Sequence, residues 1–121
     1  IVKYYETLFI ISSDYKQDKI SYLVDSVEKQ VEKLDANILN TNDWGKRKLA
    51  YRIDGEKYGN YVLIQVETEN SDYVREFENW MKFTEGILSY LTVKLDENQV
   101  KQENKEEEDK YVKDKKNMQV L

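Results

Sequence analysis

The sequence contains neither cysteine nor histidine. The absence of cysteine excludes disulfide bonds and thiolate metal sites. The absence of histidine removes the commonest metal ligand and the commonest general acid–base side chain. The four glycines, at positions 45, 55, 59 and 86, do not form a dinucleotide-binding or phosphate-binding loop motif. The sequence therefore predicts a protein that is not an enzyme and that holds no metal or cofactor.

Long apolar runs are also absent. No segment approaches the roughly 18 apolar residues that a membrane-spanning helix requires. The opening stretch, residues 1–14, contains Glu6 and is not followed by a small-residue cleavage site, so it is not predicted to be a signal peptide. These features predict a cytoplasmic protein without a membrane partner.

The chain divides near residue 96. Residues 1–96 are predicted to form one domain with a small core, since the whole chain is 121 residues long and 40 % hydrophobic. Residues 97–121 carry seven acids, six bases and a single aromatic, Tyr111. We expect this charged tail to be disordered or loosely ordered, because it can bury little apolar surface. A marginal helix over roughly residues 99–116 is the alternative, since Glu, Lys and Gln favour helices.

The pattern within the domain alternates between strand and helix periods. Residues 4–11, YYETLFII, are aromatic and β-branched and predict a strand with residues 5, 7, 9 and 11 on one face. A helix is predicted next, with Asp14 and Gln17 as a capping pair and Asn37 at its end. A second strand over about 38–53 is expected to bulge near Gly45.

The second half of the domain repeats this alternation. Asp54-Gly55 predicts a hairpin turn, because both positions favour positive φ. A strand, a helix and a final strand follow, over residues 60–68, 70–83 and 87–95. The order β-α-β-β-α-β predicts an α+β, ferredoxin-like split βαβ sandwich: a four-stranded antiparallel sheet with two helices on one face. The opposite face is expected to be free, with Tyr61, Leu63 and Tyr90 as candidates for an exposed apolar surface.

Positive charge is concentrated in residues 44–53, WGKRKLAYRI, which hold four cations and no acid in a chain of net charge −5. In an extended strand Lys46, Lys48 and Arg52 would lie on one face. Successive positions on that face are about 7 Å apart. Arg47 would lie on the apolar side unless the bulge redirects it. Two interpretations stay open: a solvated edge strand whose lysines prevent aggregation, or a patch that binds RNA or an acidic partner.

The same order of elements also occurs in the RNA recognition motif. The best register for its third-strand signature is residues 57–64, KYGNYVLI. The cation, Tyr61 and Val62 match this signature, but the glycine is displaced by one position and Ile64 replaces an aromatic. A sheet face that stacks on bases is therefore poorly supported by the sequence.

The residues of all four strands resemble those of a known family, the sixth protein of the bacterial small ribosomal subunit. The specific part is the second strand, where Gly45, Arg47-Lys48-Leu49-Ala50-Tyr51 and Ile53 match the family pattern G-x-[RK]-[RK]-L-A-Y-x-I. Tyr5-Glu6 and the stretch from Gly59 to Glu67 match more loosely. The resemblance covers about residues 1–96.

This resemblance implies a non-enzymatic, ferredoxin-like protein on the platform of the small ribosomal subunit. It implies binding to the central domain of 16S ribosomal RNA as a pair with the eighteenth small-subunit protein, next to other platform components. The residues expected to approach RNA are Lys3, Tyr5, Lys46, Arg47 and Lys48. The residues expected to meet the partner protein are Leu49, Ala50, Tyr51, Arg52 and Ile53.

Two other classes of function remain as alternatives. One is a stand-alone protein-interaction module that uses the basic second strand. The other is an acylphosphatase-like enzyme, which would need an arginine and an asparagine in the loop after the first strand. Residues 12–17, SSDYKQ, contain neither.

Overall fold

A computed structural model describes residues 1–100 of the chain. This part of the protein forms β1 (Lys3–Ser12), α1 (Gln17–Lys33), β2 (Ala36–Ile53), β3 (Glu56–Thr68), α2 (Tyr73–Lys82) and β4 (Ile87–Leu95), followed by a 3-10 turn (Glu97–Gln99). The strands make one sheet in the order β2-β3-β1-β4, and every neighbouring pair is antiparallel. The predicted ferredoxin-like split βαβ sandwich is confirmed.

The two helices cover one face of the sheet. Their buried side chains recur at helical spacing, and they pack on the odd-numbered residues of β1 and the even-numbered residues of β3. The helical contribution to this core is Ile20, Leu23, Val27, Val31, Tyr73, Phe77 and Met81. Burial of these apolar side chains is the main force that holds the helices on the sheet.

The ends of α1 differ from the sequence prediction. The helix begins at Gln17 with Lys16 as its N-cap, and no side chain caps it, so the predicted Asp14–Gln17 pair is wrong. The backbone N–H of Asp14 instead bonds the Ser12 hydroxyl at 3.2 Å, which keeps Asp14 in the preceding turn. At the other end the helix stops at Lys33, and Asp35 takes a left-handed conformation with φ of 60°. The chain therefore turns into β2 before Asn37.

The β2–β3 hairpin has the predicted turn and the predicted bulge. Asp54 and Gly55 both have positive φ, 50° and 81°, as a two-residue hairpin turn requires. Gly45 has φ of 80°, and the pairing register shifts between Asp43 and Gly45. A second shift separates Lys48 from Ile53, so residues 49–52 bulge out of the ladder.

The sheet face opposite the helices is not a free apolar surface, contrary to the prediction. Tyr61 and Leu63 are buried there with Leu8, Ile10 and Leu49, and Trp44 stacks on Tyr61 with ring centroids 6.4 Å apart. Side chains of β2 thus pack onto this face. Tyr90 packs against the core on the helix side instead. The burial of Tyr61 also argues against base stacking by this face.

The last strand of the sheet, β4, ends at Leu95, and a short 3-10 turn follows it. After β4, the backbone N–H of Asp96 bonds the Gln99 side chain at 2.8 Å, which closes the 3-10 turn. The prediction of a loosely ordered tail over 97–121, and its helical alternative, concern residues that lie mostly outside the described range. Of the helices in residues 1–100, none has both the length and the apolar character needed to cross a membrane.

Candidate nucleic-acid interface

The β2–β3 hairpin extends beyond the neighbouring strand β1. The last residue of β1, Ser12, pairs with Gly59, whereas the pairing of β2 with β3 continues to Lys48–Tyr58 and ends at Ile53–Glu56. The tip of the hairpin therefore has no strand beside it. The local sequence explains the shape of the tip. Asp54-Gly55 forms the tight turn, and residues 49–52 of β2 bulge out of the ladder just before it.

Lys46 and Lys48 lie on one face of this hairpin, and both are exposed. They are two residues apart in an extended strand, so their Cα atoms are separated by about 7 Å. The ammonium of Lys46 lies 5.1 Å from the centroid of the Tyr58 ring. The face thus presents two cations beside an aromatic ring, an arrangement suited to contacts with the phosphates and nucleobases of a nucleic acid.

Arg47 does not join the two lysines. It is half-buried, and its Nε–H donates a hydrogen bond to the carbonyl oxygen of Trp44 at 3.2 Å. Arg47 pairs with Gly59, on the sheet face opposite to that of Lys46 and Lys48. With the bulge at Gly45, the side chain of Arg47 stays on the sheet face opposite to that of the two lysines.

Lys3 and Tyr5 lie at the other end of the sheet. Lys3 pairs with Thr68 of β3, ten residues from Tyr58, which corresponds to about 30 Å along the strand. Lys3 is exposed, but Tyr5 is half-buried and stacks on Tyr73 with a centroid distance of 5.9 Å. The predicted RNA-binding residues are therefore divided between two distant positions.

Acidic residues surround the Lys3 end of the sheet. A cleft there is lined by Val2, Asp35, Glu67 and Glu69, among others. Negative side chains at this position lower the local attraction for a polyanion. The hairpin face with Lys46 and Lys48 is the more favourable of the two positions for RNA.

The residues predicted to meet a partner protein are also divided. Leu49 is buried against the sheet and Ile53 packs partly on the same cluster. Ala50, Tyr51 and Arg52 are exposed. Within the bulge between Lys48 and Ile53, Leu49 thus points into the protein, and the other three residues are exposed near the hairpin tip.

Two features of this region were not predicted from the sequence. Tyr58 lies beside Lys46, and the carboxylate of Glu56 accepts hydrogen bonds from the Ser12 hydroxyl and the Ser13 N–H at 2.8 and 3.0 Å. For the contact between Lys46 and Tyr58, the available signal in the sequence was that lysines and tyrosines occur on both sides of the Asp54-Gly55 turn. Among residues 1–100, no group of three acidic side chains could hold a metal ion.

The fold and this site together define a small ferredoxin-like binding protein whose hairpin carries exposed cations and an aromatic side chain. Comparison with known proteins identifies the family. The sequence profile of the family described as Ribosomal protein S6 matches residues 4–94. The chain therefore belongs to the ribosomal protein S6 family, which confirms the resemblance seen in the sequence.

Individual relatives agree with this assignment. The chain is 36 % identical to the small ribosomal subunit protein bS6 of Lactobacillus acidophilus over 92 residues, which are 76 % of this chain and 94 % of that protein. It is 37 % identical to bS6 of Thermoanaerobacter pseudethanolicus over 93 residues, 77 % of this chain and 97 % of that protein. The crystal structure of the 30S ribosomal protein S6 from Thermotoga maritima superposes with a TM-score of 0.75 at 25 % identity, covering 91 % of this chain and 99 % of that one.

These relatives are structural ribosomal proteins and not enzymes. The prediction that the chain is not an enzyme is confirmed by this family membership. The protein is a small-subunit ribosomal protein, and it associates with the ribosome.

Proposed function

We propose that this protein binds the central domain of 16S ribosomal RNA together with the eighteenth small-subunit protein, on the platform of the small subunit in the cytoplasm. The observation that carries the proposal is the exposed pair Lys46 and Lys48 on a hairpin that projects beyond β1, in an otherwise acidic member of the ribosomal protein S6 family. Lysines at this spacing can contact neighbouring phosphates.

The acidic character of the chain limits how it can bind RNA. A net charge of −5 repels a polyanion except at the hairpin. A few phosphate contacts then position the protein, and a basic partner protein supplies much of the remaining attraction. We therefore expect weak binding to RNA by this protein alone and stronger binding by the pair.

The partner protein is expected to contact the hairpin tip. Ala50, Tyr51 and Arg52 are exposed in the bulge, next to the lysine face, so one protein could cover them while RNA lies on Lys46 and Lys48. Leu49 and Ile53 would not contact the partner directly. They would hold the bulge in position, because they pack on the sheet.

The test is a binding titration with a central-domain 16S RNA fragment, with and without the eighteenth small-subunit protein, over a range of salt concentrations. With three or four phosphate contacts, the slope of log affinity against log salt should be about −2 to −4. The variant Lys46→Ala/Lys48→Ala should bind more weakly and lose about 2 from the magnitude of this slope.

The matched control is Lys33→Ala/Lys82→Ala, which removes the same charge from exposed positions in the last turns of the two helices. It should keep the wild-type slope. A wild-type slope near zero would refute RNA binding by phosphate contacts. Equal losses in both double variants would show that net charge, and not the hairpin, determines the affinity.

A second measurement separates this function from that of a stand-alone interaction module. The wild-type protein should sediment with small ribosomal subunits at low salt and be released progressively as salt rises. A protein that never sediments with ribosomes would favour the module.

A further inference from the structure

Tyr58 is an exposed aromatic residue whose surroundings are cationic. The residue keeps 43 % of its surface exposed even though the ammonium of Lys46 lies 5.1 Å from the ring centroid. Tyr58 is directly opposite Lys48 in the β2–β3 ladder. The three side chains therefore share one face of the hairpin.

The contact with Lys46 has two consequences for the ring. A cation over an aromatic face is attracted to the ring, which favours keeping the ammonium of Lys46 beside Tyr58. The lysine also keeps positive charge within a few ångströms of anything that stacks on the exposed part of the tyrosine. An aromatic platform next to cations is how proteins bind single-stranded nucleic acid.

The acid nearest in sequence on this strand face is Glu56, and hydrogen bonds hold its carboxylate in place. Glu56 precedes Tyr58 by two residues, and its carboxylate is engaged by the Ser12 hydroxyl at 2.8 Å and the Ser13 N–H at 3.0 Å. These hydrogen bonds turn the carboxylate toward the loop after β1. The cation in contact with the ring is Lys46, and Lys48 lies opposite Tyr58 in the ladder.

We propose that Tyr58 stacks on the base of an unpaired RNA nucleotide while Lys46 and Lys48 contact the adjoining phosphates. The proposal rests on the proposed RNA-binding function and specifies its ligand, an unpaired rather than a base-paired segment. In a duplex the faces of the bases are covered by their neighbours, so the ring could stack only on a nucleotide outside a helix. Lysine contacts alone would not discriminate in this way.

The experiment compares Tyr58→Leu and Tyr58→Phe with the wild type in titrations against the central-domain 16S RNA fragment, in the presence of the eighteenth small-subunit protein. Tyr58→Leu should weaken binding about five- to a hundredfold through loss of stacking. Its salt slope should match that of the wild type, since no charge is removed. Tyr58→Phe should bind like the wild type because it keeps the ring face.

The matched control is Tyr22→Leu, which removes a tyrosine that is 67 % exposed on α1. It should bind like the wild type. A fully paired RNA of equal length provides the second control, and on it Tyr58→Leu and the wild type should have the same affinity. Unfolding midpoints of all variants show whether any loss of binding arises from loss of the fold.

Several results would overturn the proposal. Wild-type affinity in Tyr58→Leu would show that the ring contributes nothing, and an equal loss in Tyr58→Phe would assign the effect to the hydroxyl group. Weakened binding of Tyr58→Leu to the partner protein without RNA would make Tyr58 a protein contact. Failure of the proposed function is distinguishable, because the wild type itself would then show no salt slope.

Discussion

The Ser12 hydroxyl donates a bifurcated hydrogen bond to the carboxylate of Glu56, with its oxygen 2.8 Å from Oε1 and 3.0 Å from Oε2. The Ser13 N–H donates a further bond at 3.0 Å. Glu56 is the first residue of β3, directly after the hairpin turn, whereas Ser12 ends β1. The interaction therefore ties the start of the hairpin's return strand to the loop after β1.

Removal of this carboxylate should destabilise the protein. Glu56→Ala should lower the free energy of unfolding by about 1–3 kcal/mol, because charge-assisted hydrogen bonds are lost and the Ser13 N–H is left without its partner. Urea denaturation measures the change. Glu85→Ala, at an exposed position, is the control and should stay within about 0.5 kcal/mol of the wild type. Equal stability of the two variants would contradict a stabilising role for Glu56.

Gly59 is required by close packing and not by its backbone conformation. A Cβ atom at this position would lie 2.3 Å from Cγ2 of Ile10 and 3.4 Å from Cδ2 of Leu49. Gly59→Ala should therefore cost about 1–3 kcal/mol through overpacking. In a double-mutant cycle with Ile10→Ala the two costs should be less than additive. Strict additivity would show that the clash is relieved elsewhere.

Tyr73 packs its ring in the core but finds no hydrogen-bond partner for its hydroxyl among residues 1–100. Burial raises the pKa of Tyr73, so the phenol stays neutral. Tyr73→Phe should leave stability unchanged or raise it by up to about 1 kcal/mol, since it removes an unsatisfied buried group. Tyr73→Ala should cost about 3–5 kcal/mol through the cavity it leaves. Thermal unfolding measures both, and a large loss in Tyr73→Phe would reveal a partner for the hydroxyl.

Glu78 should make stability depend on pH. Burial raises the pKa of Glu78 above its ordinary value of 4.5, although a hydrogen bond with Thr92 opposes the shift. The folded state therefore binds the proton more tightly than the unfolded state, and this stabilising contribution is lost as pH rises through the raised pKa. Relative to Glu78→Gln, the wild type should lose unfolding free energy as the pH rises from below the ordinary carboxyl pKa to above the raised pKa of Glu78. A difference that stays constant over this range would contradict the argument.

The order of the elements could be predicted because its signals are local. Apolar residues of α1 recur at helical spacing, β1 is aromatic and β-branched, and Asp54-Gly55 permits the positive φ values of a tight turn. Each of these patterns depends on residues a few positions apart. The family resemblance carried by residues 45–53 depended on the same short-range pattern.

The composition of the candidate site could be predicted only in part. Lys46 and Lys48 were expected on one face, and the structure places them there, but Arg47, Lys3 and Tyr5 lie elsewhere. An unbroken ladder counted back from Ile53–Glu56 would place Lys48 opposite Tyr61. The bulge at residues 49–52 shifts the register, so Lys48 lies opposite Tyr58 instead.

The sequence by itself determined the ferredoxin-like order of strands and helices, the hairpin turn and the acidic charge with its one basic stretch. Tertiary structure alone decided the burial of Tyr61 and Leu63 under side chains of β2, and the meeting of Lys46 with Tyr58. The physical reason is the separation along the chain over which each interaction acts. Backbone propensities and turn chemistry act between neighbours, whereas register and burial depend on how distant segments pack, and a shift of a few residues changes which side chains face each other.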